Sequence, residues 1–123
     1  RYAAMAEGRI DDPVLRARLI RYEQNGHAQR LTQKRVIEEL QARAPGYASS
    51  AVKLTGAMHI QDGDELLLAA MGSQGIGWQG GGFDRAETDA TRTWLRQKSL
   101  TIAGGTKEVQ LNIIAKRVLG LPD

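Results

Sequence analysis

Close to its C-terminal end the chain runs two glycines, Gly104-Gly105, straight into Thr106 and a helix-forming stretch that stops at Gly120. The glycine pair opens backbone conformations closed to other residues and lets a neighbour come close. Thr106 can accept a hydrogen bond from a first-turn N–H and so start the helix. Val109, Ile113, Ile114 and Leu121 give it an apolar stripe, and Lys116 and Arg117 sit in the last turn, where the helix dipole favours cations. A glycine turn opening onto a helix N-terminus is a place where an anionic or polar ligand can dock on backbone N–H groups.

The rest of the chain reads as helices too. Tyr2 to Glu7 reads as the tail of a preceding helix closed by Gly8, which sets residues 1–10 apart from a domain over 11–123. Asp12-Pro13 starts a long helix, an Asp cap with Pro at the first helical position. It runs to about Ala44, before Pro45-Gly46, with Leu15, Leu19, Tyr22, Ile37 and Leu40 as its apolar face. Its middle, Gln24 to Gln33, is polar enough to suit either a solvated face or a contact with a subunit or cofactor. Tyr47-Ala-Ser-Ser makes a serine-capped connection. A further helix spans about Ser50 to Met71, continuous through Gly56 and Gly63, whose spacing of seven can admit a neighbouring helix. Gly72 to Gly82 is a glycine-rich loop, expected to be mobile unless something packs on it. Asp84 caps a helix reaching about Leu100. No period-two pattern appears, so no strand is expected, and the fold class is all-α, an up-and-down four-helix bundle.

With 123 residues the chain can build one core. No apolar run reaches membrane-spanning length, and the absence of cysteine fits the cytoplasm. The net charge is +3 and the pI about 9.5, but the basic residues are interspersed with acids and aromatics are few, which argues against a nucleic-acid surface. Gly75, Gly77 and Gly80 spell a dinucleotide fingerprint, yet a helix precedes them where a strand is required. Asp62, Asp64 and Glu65 lack the order of a calcium loop and read as a solvated acidic face. His27 and His59 have no companion ligands for zinc, so no metal site is expected. Trp78 and Trp94 read as core or interface residues.

The string from Ser99 to Pro122, with its Gly-Thr turn and its ending Arg-Val-Leu-Gly-Leu-Pro, closely resembles the C-terminal end of the acyl-CoA dehydrogenase family. The resemblance extends over the chain, most securely from Asp11 to Asp123, and points to a divergent, mainly bacterial branch whose long helix lacks the usual Arg-x-x-Phe-Gly opening. It implies an FAD-dependent enzyme that dehydrogenates an acyl-CoA thioester between its α and β carbons, assembled as a homo- or hetero-oligomer, a dimer of dimers. The flavin site would be completed by N-terminal helical and β-barrel domains, so the fragment alone is expected to be inactive.

By the same resemblance, Ala69, Ala70, Met71, Gly72 and Ser73 touch the FAD of a neighbouring subunit, and Thr106, Lys107 and Glu108 line the cofactor. Two positions depart from the family. Ala69 stands where a glutamine is frequent, and Gly104 stands where many members carry the glutamate that removes the α-proton. No catalytic residue is therefore expected in this chain; the base would lie on an earlier helix or another subunit. The alternative is a non-catalytic, acyl-CoA dehydrogenase-like subunit of a heteromeric complex.

Overall fold

The computed structural model describes residues 2–44 and 48–122. The expected helix stop at Pro45-Gly46, and Tyr47 of the connection after it, lie outside the described residues. Four α-helices form: α1 (Pro13–Gln41), α2 (Ala48–Met71), α3 (Arg85–Gln97) and α4 (Lys107–Ile113). The chain divides into two compact units, residues 1–24 with 60–98 and residues 25–59 with 99–123. Helices α1 and α2 each contribute one stretch to each unit.

The segment before α1 corrects the sequence reading. Met5–Ala6 (β1) and Arg9–Ile10 (β2) pair antiparallel, Met5 opposite Ile10 and Ala6 opposite Arg9, where a helix tail over 1–10 was expected. The reason is the turn between them. Glu7 and Gly8 both take positive φ, 50° and 75°, the conformation of a two-residue hairpin loop whose twist suits the flanking strands. Two-residue strands are too short to show an alternating pattern. An Arg16 guanidinium N–H donates to the Ile10 carbonyl and ties the hairpin to α1.

In the first unit, Asp12 caps α1 as expected: its carboxylate accepts from the N–H groups of Val14 at 2.8 Å and Leu15 at 3.1 Å. The apolar side chains buried among the described residues, Leu15, Leu66 and Met71, all belong to this unit. Gly63 lies directly under the Tyr22 ring, a built Cβ falling 2.9 Å from the Tyr22 hydroxyl. The glycine-rich loop is packed at Gly75 and Gly77, while Gly80, Gly81 and Gly82 stand in open space. Its first five residues, Gly72–Ile76, form a 3-10 turn. The Thr91 hydroxyl donates to the Gly75 carbonyl at 3.1 Å, and Arg92 donates to the Trp78 carbonyl at 2.9 Å while its guanidinium stacks over the Trp78 ring. Helix α3 starts with a complete capping box in which Asp84 accepts from the Glu87 N–H and Glu87 accepts from the Asp84 N–H, both at 2.9 Å. The Tyr2 hydroxyl also donates to Glu87.

In the second unit, Gly26 and Gln29 of α1 meet α2, and Thr32 and Val36 further along α1 are half-buried. Ile37 and Leu40, expected on the buried stripe, are exposed. Gln29 is buried in the polar middle of α1; its amide donates to the Val52 carbonyl at 3.0 Å and its oxygen accepts from Thr55. Within that stretch Gly26 and Gln29 are buried, while Gln24, Asn25, His27, Ala28, Arg30, Leu31 and Gln33 are exposed, so its polar run is a largely exposed face around a buried Gln29. Gly56 accommodates the Gln29 amide and Gly26 the His59 ring, with built Cβ positions 3.0 Å from each. After α4 the chain winds into a π-helical turn, Ile114–Val118, and ends at Gly120 with φ +64°.

The two classes of glycine in the loop make opposite predictions. A Cβ at Gly75 would sit 2.7 Å from the Leu68 carbonyl oxygen, a backbone atom that cannot yield cheaply, whereas nothing approaches Gly81. Gly75→Ala is expected to destabilise the protein by about 1–3 kcal/mol, the usual cost of forcing atoms into packed space. Gly81→Ala should leave the thermal midpoint within experimental error; paired melting curves check both.

Candidate functional site

The glycine turn is built in the second unit. The Ile102 and Ala103 N–H groups donate to the Ser99 carbonyl, and the Gly105 N–H donates to the Ile102 carbonyl at 3.1 Å. Gly104 and Gly105 take φ of +73° and +107°, which reverses the chain. At such angles a Cβ would cost about 1–2 kcal/mol per residue. Side chains from outside the turn hold it. Lys53, on α2, donates from its ammonium to the Leu100 carbonyl at 3.1 Å and the Gly105 carbonyl at 2.9 Å. Gln110, buried on α4, donates from its amide to the Gly104 carbonyl at 3.1 Å.

Thr106 leads out of the turn as the N-cap of α4, its hydroxyl oxygen accepting from the Val109 N–H. Lys107 and Glu108 are exposed on the first turn. The Glu108 carboxyl is held below the usual carboxylate range, first by its own backbone N–H and then by the Thr106 hydroxyl. It stays ionised and tied to the helix start. The expected apolar stripe is covered in part: Ile113 and Ile114 are half-buried, Val109 and Leu121 are exposed, and Gln110 of α4 is buried.

The other expected edge, residues 69–73, belongs to the first unit. Met71 is buried and anchors the end of α2, Ala70 is half-buried, and Ala69, Gly72 and Ser73 are exposed. Gly72 takes φ +59° with open space where a side chain would be. The backbone at the end of α2 is thus bare and accessible.

Ala70 also borders an apolar groove of about 500 Å³ in the first unit, lined by Leu15, Leu19, Tyr22 and Leu67 among others. Asp64 opens into it, which sequence reasoning missed by reading the acidic run as solvated. One carboxylate oxygen of Asp64 is buried and has no hydrogen-bond partner among the described residues. Burial pushes the Asp64 carboxyl up, with the nearby Lys98 ammonium pulling the other way. Lys98 itself is engaged by Glu65 and lies over the Trp94 ring at 5.1 Å. His27 is exposed, and among the described residues no group of three His, Cys, Asp or Glu gathers into a metal site. Nor, among them, is any helix long and apolar enough to cross a membrane.

The family model for the acyl-CoA dehydrogenase C-terminal domain matches residues 4–119. The chain belongs to the acyl-CoA dehydrogenase family. Its relatives include "Acyl-CoA dehydrogenase IpdE1" of Mycolicibacterium smegmatis, 33% identical over 119 residues, 97% of this chain and 28% of that protein. The protein of the same name from Mycobacterium tuberculosis is 36% identical over 112 residues, 91% of this chain and 28% of its own length. "Acyl-CoA dehydrogenase FadE34" of M. tuberculosis is 38% identical over 78 residues, 63% of this chain and 10% of its own. The chain therefore spans little more than a quarter of the IpdE1 proteins. No solved structure gives a significant match. The all-α class expected from the sequence is that of this domain, with the short N-terminal hairpin added.

Asp64 gives a pH prediction. Its folded carboxyl titrates above the ordinary value of 3.8, so the folded state holds a proton longer than the unfolded chain and loses stability as pH rises through that window. Asp64→Asn is expected to raise the thermal midpoint at pH 7. The gain should shrink as pH falls and vanish below the ordinary aspartate range, where both states are protonated. Melting curves at a series of pH values check this; a gain independent of pH would contradict it.

Proposed function

We propose that this chain is the C-terminal domain of a cytoplasmic, FAD-dependent acyl-CoA dehydrogenase, which removes hydrogens from the α and β carbons of an acyl-CoA thioester. The domain would line the cofactor and pack subunits together, and would be inactive alone. One observation carries the reading: a family match over residues 4–119 includes a glycine turn whose carbonyls are bound internally by Lys53 and Gln110, leading into the Thr106 cap.

Two stretches, one in each unit, suit FAD. At residues 69–73 the fit is bare backbone next to Gly72, where no side chain obstructs a flat group. At residues 106–108 it is a helix start with a hydroxyl and first-turn N–H groups. FAD, when bound, supplies the hydride acceptor. Ala69 brings no amide to it and Gly104 no carboxylate, so the α-proton would go to a base carried by other polypeptide. Exposed apolar side chains, among them Leu40, Ile76 and Ile102, support an assembled protein in which such surface is covered. The lack of cysteine suits the cytoplasm.

Gly104 favours a second reading, a non-catalytic subunit of a heteromeric complex. A side chain there would face strain at φ +73°, so the turn is built for glycine. The two readings part in one experiment on the intact protein. Anaerobic addition of an acyl-CoA is expected to bleach the visible absorption of its bound flavin; bound flavin that bleaches only when a partner subunit is added would select the alternative. Absence of flavin in every assembly would overturn both. Titration of the 123 residues alone with FAD should show no one-to-one micromolar binding, and such binding would contradict the proposed dependence on further domains.

A further inference from the structure

The family resemblance directs attention to the residue before the Gly-Thr turn, and here that residue has no side chain. The turn is nevertheless a defined structure, and its definition comes from 50 or so residues away in sequence. Lys53 is half-buried on α2 and reaches both sides of the reversal. Its ammonium binds the Leu100 carbonyl, where the chain enters, and the Gly105 carbonyl, immediately before Thr106. Its stem lies against Gly104, whose built Cβ would be 3.4 Å from the Lys53 Cε.

We infer that Lys53 is the positioning residue of the cofactor-facing turn: its ammonium, bridging the Leu100 and Gly105 carbonyls, sets where Gly104, Gly105 and Thr106 stand. The physical argument is one of degrees of freedom. Two consecutive glycines at positive φ sample more backbone states than any other pair. Their own backbone supplies one bond, from the Gly105 N–H to the Ile102 carbonyl, and both of their carbonyls are held by side chains of neighbours. Gln110 holds only the Gly104 carbonyl, and does so from α4, the element the turn itself launches. Lys53 holds the turn from a different helix, α2. A charged donor makes hydrogen bonds roughly twice as strong as a neutral one, and one ammonium can serve two carbonyls with a third N–H to spare. From α2, the long cationic side chain of Lys53 spans both carbonyls.

The role in cofactor placement rests on the function proposed above; the role in the turn does not, and the test separates them. In the intact, FAD-loaded protein, Lys53→Met, which keeps the stem and removes the donors, is expected to weaken FAD retention about tenfold, the fold-change for losing a charged hydrogen bond. It should also shift the visible bands of the flavin that remains, with Lys53→Arg recovering both. Hydrogen exchange of the 102–106 amides, measured without added cofactor, should accelerate about tenfold in Lys53→Met and stay unchanged in α3. Lys53→Gln, which keeps one neutral donor, serves in place of the Met variant should that not fold, with the same effects at smaller size. Unchanged exchange at 102–106 overturns the inference outright. Faster exchange with FAD retention and spectrum as in the parent overturns the cofactor role and leaves the clamp. A parent protein that binds no FAD, with exchange still accelerated in the variant, overturns the proposed function and not the clamp.

Discussion

Polar and aromatic side chains filling the space left by glycines are what this chain's packing depends on. Gln29 sits at Gly56, His59 at Gly26, Tyr22 at Gly63 and the Phe83 ring at Gly77. Apolar burial is sparse, so these fitted contacts carry a large share of what fixes α1 against α2 within each unit. A glycine inside a helix costs about 1 kcal/mol of propensity, which is tolerable only where the missing Cβ is used. At Gly56 it is used by Gln29, whose amide group donates to the Val52 carbonyl and accepts from Thr55.

The same arrangement accounts for how the glycine turn stays shaped. Residues that give the backbone freedom are matched by side chains elsewhere that remove it: Lys53 and Gln110 for Gly104 and Gly105, Thr91 for Gly75, Arg92 for the Trp78 carbonyl. The function proposed for the domain asks for open backbone next to a flat cofactor, and open backbone is stable only when its other side is held. Rigidity supplied from a distance leaves the near side free of side chains.

The helices were legible because their signals are local. Asp12-Pro13, Asp84 and Thr106 each announce a helix start locally, and each caps as read. Helix α2 runs through Gly56 and Gly63 as expected. The hairpin was illegible because its strands are two residues long and its signal is one Glu-Gly turn. Ile37 and Leu40 were misassigned because periodicity marks a face without saying whether anything covers it. Asp64 looked like its exposed neighbours, Asp62 and Glu65, and only the groove beside it sets it apart. The family was legible from the string Ser99–Pro122; the Lys53 clamp was not, since nothing in sequence links position 53 to positions 100 and 105.

The winding change at Ile114–Val118 has a geometric outcome of its own. In that turn the Leu119 N–H reaches back five residues to the Ile114 carbonyl, one more than in an α-helix, so an extra residue enters the coil. Every side chain beyond it is rotated by about 100° relative to an unbroken α-helix. Leu119 follows this turn directly and Leu121 comes after the left-handed Gly120; both are exposed, whereas Ile113 and Ile114 are half-buried. Past that added peptide unit the tail carries two leucines open to solvent.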